Sequence, residues 1–480
     1  MSAKWRVGGP RLTKWRAVLL LVLMTVLVIF FSFHSTRGTF SFLASKVVLM
    51  DANGLVPGEN VSTEVSTPKS ELEPHANQDW NLYHPSNLDQ LWIIMTKRIL
   101  VRRLGFHDTR SSSYPSVVFN CMYDDRPELP HLKKFYSLLT FRNGSKACIP
   151  LEYWAHNGDY MHTRNTYTEI YYNYILRTES SVSEPPLQGQ ISFDPDCHSL
   201  SKTIPIKDNT TDRKYTYGVC LHKSIYNLTE PEMLVHWVEL NLALGVEFMT
   251  IYLQNGYIPE SYYTLMIPYI KRGIVEVLDW GLRPPVIPGY TKFWGQTAVI
   301  TECIYRNMYR VKYLGLYDLD EFIIPGNLRT VPELIKKFEK ETPAALNAAS
   351  YGATNVFYYK SNEHLPRMNE SLLASQCPKM SVPRYYTFNM RNKHVRPFVN
   401  KIIVKPKAVI SVWTHFALKW MPGYTKEKYF TFDDAQLRHY RVPEKPGFLK
   451  TPLTVNSFTL DRYYNDTVMG IIRHACRKKN

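Results

Sequence analysis

The chain reads as an α/β protein with a parallel, doubly wound, Rossmann-like sheet. A small β-rich domain, an extended stem and one membrane-spanning helix precede that sheet. Three observations lead to this reading. From Tyr215 onward, strand-like and helix-like segments alternate at short spacing, the pattern of parallel strands joined by crossover helices. Residues 113–210 hold short apolar runs between turn signals such as Asn143-Gly144 and Asn157-Gly158, which suits a β-rich domain. Residues 17–36 contain no Asp, Glu, Lys or Arg, and about 20 apolar residues cross a bilayer as a helix.

The N-terminal elements follow from charge and composition. Lys4, Arg6, Arg11, Lys14 and Arg16 precede the apolar run with no acid among them, so residues 1–16 are expected to stay cytoplasmic. The following FSFHSTRG lacks a small-residue cleavage site, which favours an uncleaved type II signal anchor over a secretory signal. Residues 37–112 read as a stem, polar and rich in Pro, Ser and Thr, ending in a linking helix. That helix is expected over Leu88–Leu104, where the apolar spacing is helical. Everything beyond the anchor would then be lumenal. Sequons at Asn60, Asn143, Asn209, Asn227, Asn369 and Asn465 are compatible with that side. The seven cysteines all lie beyond the anchor without a CxxC pair, so disulfides are expected rather than a zinc site. An odd number leaves one over, and Cys303, in an expected helix, is the choice.

The net charge of +16 invites a nucleic-acid reading. The lysines and arginines are spread along the chain, however, with no basic helix, zinc-finger spacing or RNA-binding aromatic motif, and nucleic acid is set aside as a partner. Solubility or attraction to acidic partners accounts for the charge. The 33 tyrosines and 10 tryptophans suit either a core or a sugar-binding surface.

Within residues 211–480 the elements run in order. YTYGVCLH is a strand, and EPEMLVHWVELNLALGV a helix with Pro231 in its first turn and Gly245 closing it. FMTIYL, PESYYTLMIPYIKRG and IVEVLDW read as strand, helix and strand, followed by the helix GQTAVITECIYRNMYR and the strand VKYLGLYDLDEF. In such sheets ligands bind beyond the carboxyl ends of the strands. Tyr226, Asn255, Asp318 and Asp320 belong to that end. No GxGxxG or GxxxxGK[ST] follows any strand, which disfavours a dinucleotide oxidoreductase and a P-loop phosphotransferase. In extended geometry Asp318 and Asp320 would share one side of the strand. Two such carboxylates call for a cation between them, and a divalent metal sharing its shell with phosphate is the natural occupant; a solvated pair of loop acids or a structural calcium site is the alternative.

At this point the chain resembles glycosyltransferase family 92, metal-dependent β-1,4-galactosyltransferases of GT-A fold. The likeness rests on EMLVHWVELNLALGVEFMTIYLQNG, GIVEVLDW and GQTAVITECIYRNMYRVKYLGLYDLDEFIIP, then WTHF and HYR. It implies UDP-galactose as donor, Mn²⁺ as cofactor, inversion to a β-linkage, and Asp318 and Asp320 as the metal and diphosphate motif. Inversion needs a general base, commonly Asp or Glu. Glu363 is the first choice, in a polar turn after an apolar strand, with Asp434 the other. His415 is a possible third metal ligand or else a core histidine. His439 and Arg441 are expected to neutralise the diphosphate, or to form a buried ion-pair network. Trp237 and Trp280 read as core. The resulting expectation is a Golgi type II membrane enzyme that galactosylates glycoprotein glycans, terminal β-galactose on N-glycans being the preferred acceptor. The alternatives are the same donor with fucose or another sugar as acceptor, or a non-catalytic, lectin-like protein of the same fold.

Overall fold

The structure is a computed structural model. It describes residues 91–476 except 97–98, 125–133, 158–170, 211, 213, 226–227, 255–259, 283–294, 360–369, 389, 393–395, 442–452 and 456–459. The expected tail, anchor and most of the stem lie outside these residues, as do Tyr226, Asn255 and Glu363. Among the described residues no helix is long and apolar enough to cross a membrane.

The first sheet has eight strands: β1 (Trp92–Thr96), β2 (Ile99–Asp108), β3 (Ser116–Asp124), β4 (Phe135–Thr140), β5 (Lys146–Asn157), β6 (Tyr171–Thr178), β7 (Gln188–Ser192) and β8 (Ile204–Lys207). Their order is β1-β2-β3-β6-β5-β4-β7-β8, and β8 also pairs with β2, so the sheet returns on itself. Alternation along β3 shows why both faces are apolar. Val117, Phe119, Cys121 and Tyr123 enter the sheet's own core, while Val118 and Met122 face the following domain, as period-2 geometry requires.

This sheet corrects the expected helix over Leu88–Leu104, because residues 92–96 and 99–108 are strands paired antiparallel. Trp92 and Leu100 face one core and Ile93, Ile99 and Val101 the other. A strand buried on both faces gives a nearly continuous apolar run, which spacing alone does not separate from a helix.

The second sheet opens with the alternation anticipated from sequence. Strands β9 (Tyr215–Leu221), β10 (Phe248–Leu253), β11 (Val275–Asp279) and β12 (Val311–Tyr317) alternate with helices α1 (Glu232–Ala243), α2 (Glu260–Lys271) and α3 (Gln296–Asn307). The four strands are mutually parallel in the order β11-β10-β9-β12. Pro231 stands at the N-cap of α1, and Gly245, at φ 89°, ends it in the left-handed conformation that glycine tolerates. Trp237 and Trp280 are both fully buried, as their core assignment anticipates.

Beyond β12 the chain adds β13 (Glu321–Pro325), α4 (Val331–Glu341), β14 (Ser350–Tyr359), α5 (Glu370–Gln376), β15 (Met390–Asn392) and β16 (Arg396–Val404). The last elements are β17 (Val409–Val412), β18 (Ala417–Trp420), β19 (Lys428–Tyr429), β20 (Ala435–Tyr440), β21 (Leu453–Val455) and α6 (Tyr464–His474). Strand β16 inserts antiparallel between β12 and β14. Strand β20 pairs with both β13 and β14, folding β13 over the carboxyl end of the sheet. A capping box between Thr330 and Glu333 starts α4.

Helix α3 joins the two sheets. Ala298, Val299, Ile300, Cys303 and Ile304 lie in an apolar core shared with Trp92 and Leu100 of the first sheet. Its polar side chains find partners there too. Glu302 receives Arg102 Nε at 2.5 Å and Arg306 at 2.7 Å, and Thr301 donates to Asn173 at 2.7 Å.

Disulfides join Cys148 to Cys197, Cys220 to Cys303 and Cys377 to Cys476, and buried Cys121 is the free thiol. Cys303 is therefore bonded, correcting its choice as the odd one. The turn of α3 that carries it packs on β9, where Cys220 points back toward the helix. Among the sequons, Asn143 is exposed, whereas Asn209 is fully buried and donates to the carbonyls of Tyr305 and Arg306. A glycan at Asn209 is incompatible with that packing.

Candidate active site

The carboxyl ends of the parallel strands converge as the topology requires. His222, Lys223 and Ser224 follow β9, Gln254 follows β10, Asp279 closes β11, and Asp318 follows β12. Asp318 to Asp320 form a turn rather than a strand extension. Strand β12 stops at Tyr317, Glu321 N–H bonds back to the Asp318 carbonyl at 3.1 Å, and β13 begins at Glu321. The expectation that Asp318 and Asp320 share one side of a strand is thus corrected. The turn places Glu321 beside them instead, with its carboxylate accepting from Asp318 N–H at 3.2 Å.

Three carboxylates meet two lysines and a histidine here. Lys401 Nζ lies 2.7 Å from Asp318 Oδ2 and 3.0 Å from Glu321 Oε2. Lys223 Nζ stands 3.7 Å from Asp318 Oδ1. His439 bridges the other side, with Nε2 3.3 Å from Asp320 Oδ2 and Nδ1 3.1 Å from Glu321 Oε1. Burial alone would raise the Asp318 carboxyl, but Lys401 and Lys223 hold it well below the usual range. Burial also opposes the charge on Asp320, and His439 outweighs it. Burial lowers the His439 imidazole, while Glu321 and Asp320 raise it by more. In each case burial of the charge is opposed by a close partner of opposite character.

His222 completes the inner wall. It is buried, its Nδ1 lies 2.8 Å from Gln296 Nε2 and 3.4 Å from Lys401 Nζ, and Asp318 Oδ1 is 3.8 Å away. Burial first, and Lys401 second, push its pKa down to about 3. The ring is neutral, with Nδ1 accepting from the Gln296 amide.

The structure sorts the expected residues. Asp318, Asp320 and His439 come together. His415, in the turn between β17 and β18, lies near enough to bear on the charge of His222, and its Nδ1 meets the Asn400 carbonyl at 2.7 Å. Arg441 follows β20, its guanidinium 5.9 Å from the Phe357 ring centroid, and Phe357 in turn stacks 5.0 Å from His439. Asp434 is not brought to the site. On the antiparallel β13–β20 ladder His439 faces Glu321, while Ala435 faces Pro325 at the other end. Asp434 is held there by Lys337 at 3.0 Å and Thr431 at 2.5 Å, which corrects its assignment as a base.

Lys401, Lys223, His222 and Gln296 went unread in the sequence, and Glu321 was read only as part of the DLDEF stretch. A signal for Lys401 was present, a lysine opening the apolar run KIIV. In the β12–β16 register Ile402 faces Leu316, so the lysine one residue earlier falls level with the end of β12.

A cavity of about 380 Å³ adjoins Asp320, lined among others by Lys223, Ser224, Leu319 and Arg384. The Arg384 Nε is buried without a hydrogen-bond partner among the described residues. Such a cavity, with lysine and arginine at its wall, suits an anionic ligand.

Asp318 Oδ1 is itself buried without a hydrogen-bond partner among the described residues, and the carboxylates of Asp318 and Asp320 are the hard oxygen donors that Mn²⁺ or Mg²⁺ takes. Among the described residues no three His, Cys, Asp or Glu side chains form a ready-made metal cluster. An ion held by one or two carboxylates and completed by phosphate oxygens is consistent with both facts.

A mixed α/β sheet with carboxylates and cations at its carboxyl ends, beside an anion-suited cavity, has the makings of a glycosyltransferase. Residues 215–470 match the sequence model of glycosyltransferase family 92, more than half of the 480 residues, and the chain belongs to that family. Beta-1,4-galactosyltransferase galt-1 of Caenorhabditis elegans is 26% identical over 130 residues, covering 25% of this chain and 30% of the relative. Galactan beta-1,4-galactosyltransferase GALS3 of Arabidopsis thaliana is 24% identical over 163 residues, covering 34% of this chain and 29% of the relative. Each alignment thus spans under a third of the relative's length. Glucosyl-3-phosphoglycerate synthase from Mycobacterium tuberculosis aligns at 11% identity over 40% of this chain and 57% of its own, with a TM-score of 0.20, too low to bear on the fold.

Proposed function

We propose that the protein is an inverting, UDP-galactose-dependent β-1,4-galactosyltransferase of the Golgi membrane. Its acceptor is a glycoprotein glycan, with terminal β-galactose on N-glycans preferred. The observation that carries the reading is the cluster of Asp318, Asp320 and Glu321 with Lys401, Lys223 and His439 at the carboxyl end of β12. The β11-β10-β9-β12 strand order supports the GT-A description, and the names of the distant relatives support the donor and linkage.

In this reading Asp318 and Asp320 would hold Mn²⁺ together with the donor diphosphate, and the ion would supply Lewis-acid stabilisation of the departing UDP. Lys223 and Arg384 bind the diphosphate from the cavity wall. Lys401 stays on Glu321 and Asp318, fixing their carboxylates. His415 is proposed as a further ligand that would reach the ion only with the donor bound, since it forms no ready-made three-ligand cluster among the described residues. A ring whose Nδ1–H is fixed by a backbone carbonyl presents Nε2 in the form that binds metals. The acceptor hydroxyl attacks the anomeric carbon from the face opposite UDP, giving inversion through an oxocarbenium-like transition state. Glu363 is proposed to take the hydroxyl proton. It follows shortly after β14, whose Phe357 stands opposite His439. The experiment is an acceptor panel with labelled UDP-sugars and linkage analysis of the products. Transfer of another sugar, or another linkage, would overturn the assignment, and sugar binding without any turnover would favour the lectin-like alternative.

A further inference from the structure

A second cavity, of about 460 Å³, lies at the opposite end of the sheet. Tyr215 and Val311, which line it, are the first residues of β9 and β12. The seven residues of β12 separate it from Asp318, about 20 Å at strand rise. It is no part of the site described above.

Its lining is basic and aromatic. Lys214, Arg310, Lys312, Lys405 and Lys407 contribute cations against the single carboxylate of Glu339. Two of the cations are already engaged: Arg310 with Asp212 at 3.3 Å and Glu276 at 3.1 Å, and Lys405 with Glu339 at 3.1 Å. Lys312 and Lys407 are exposed and form no ion pair among the described residues. Each instead stands by a tyrosine ring, Lys312 Nζ 4.9 Å from the Tyr313 centroid and Lys407 Nζ 5.4 Å from that of Tyr309. Tyr215 and Tyr424 are partly exposed on the same lining. Tyr215 is held flat by stacking on Phe248 at 5.0 Å.

We propose that this cavity binds an acidic oligosaccharide, with Lys312 and Lys407 pairing its sulfate or carboxylate groups and the partly exposed rings of Tyr215 and Tyr424 packing a sugar face. Ammonium groups without an ion pair among the described residues, on the same lining as the partly exposed Tyr215 and Tyr424, provide both halves of that chemistry. The size falls within the range of small-ligand cavities. The choice of a saccharide, rather than a bare anion, rests on the glycan-transferring reading. The site serves as an exosite that retains acidic glycans or glycoproteins without entering the reaction.

The test measures binding to the full-length protein in detergent, without UDP-galactose or metal, so its result does not depend on transferase activity. The probes are a heparin-derived hexasaccharide, a neutral hexasaccharide, inorganic sulfate, and vesicles containing phosphatidylserine. Lys312→Glu with Lys407→Glu is expected to weaken the acidic hexasaccharide at least tenfold. Lys146→Glu with Lys379→Glu, the same charge change at exposed lysines outside this lining, is expected to leave it within twofold. Tyr215→Leu should weaken the hexasaccharide while leaving sulfate binding unchanged. Transfer to a small neutral acceptor should be unaffected by the Lys312/Lys407 pair. Equal loss in both lysine pairs would reduce the effect to net charge and overturn the proposal. So would hexasaccharide binding indifferent to all three variants, or a Lys312/Lys407 dependence seen only with the vesicles or with sulfate.

Discussion

Replacing Lys401 by methionine tests the electrostatic centre of the site. Its Nζ lies 2.7 Å from Asp318 and 3.0 Å from Glu321, and side-chain exposures of 5%, 14% and 2% leave little water to compensate. Methionine keeps the apolar stem but leaves two carboxylates facing each other. Removing one partner of a buried ion pair costs about 3–5 kcal/mol. At roughly 2–4 °C per kcal/mol for a domain of this size, melting should fall by about 10 °C. The assay is thermal and urea unfolding of the full-length protein followed by circular dichroism. Lys401→Met combined with Glu321→Gln should recover part of the loss, because one carboxylate no longer needs the cation, and the two single variants should prove strongly non-additive. A Lys401→Met protein within about 1 kcal/mol of wild type would refute the reasoning, since an uncompensated buried charge destabilises by more than that.

Other outcomes follow from the rest of the molecule. Trp92→Ala removes a fully buried ring that stacks edge-on against Trp280 at 5.1 Å and donates to its carbonyl; unfolding should show a loss of about 3–5 kcal/mol. His236 is buried, and burial depresses its pKa to about 4. The stability from keeping this ring neutral is complete above about pH 6.5 and is lost as pH falls toward 4, at about 1.4 kcal/mol for each pH step of one across that window. His236→Gln should therefore flatten the pH dependence of unfolding there. Cys121 is buried and its thiol is pushed up by burial; native protein should resist alkylation, and denatured, unreduced protein should take up one label per chain, at Cys121.

The parallel half of the molecule was legible because its signals are periodic and local. Strand Phe248–Leu253 matches its apolar run residue for residue, and α1 is bounded by the proline and glycine that marked it. What escaped the sequence depends on partners far along the chain. Residues 92–108 are strands because two cores claim alternate side chains, a fact that belongs to the tertiary structure. The bonding of Cys303 depends on α3 packing against β9, since its partner Cys220 is 83 residues away. At the site, the DLDEF stretch announced its acids, but the cations that balance them come from elsewhere in the chain. Lys401 is 83 residues beyond Asp318 and reaches it only through the antiparallel register of β16. Asp434 and His439 were equally plausible as nearby polar residues, and the β13–β20 register alone separates them.

The most direct test of the account is transfer of labelled galactose from UDP-galactose to a galactose-terminated N-glycan, measured across a Mn²⁺ titration. Wild type is compared with Asp318→Asn and Asp320→Asn, with folding checked by melting. The account predicts Mn²⁺-dependent β-1,4 transfer that falls by about 10²-fold or more in each folded variant, the scale of losing one transition-state stabilising contact. Wild-type transfer by either variant, or transfer indifferent to Mn²⁺, would contradict it.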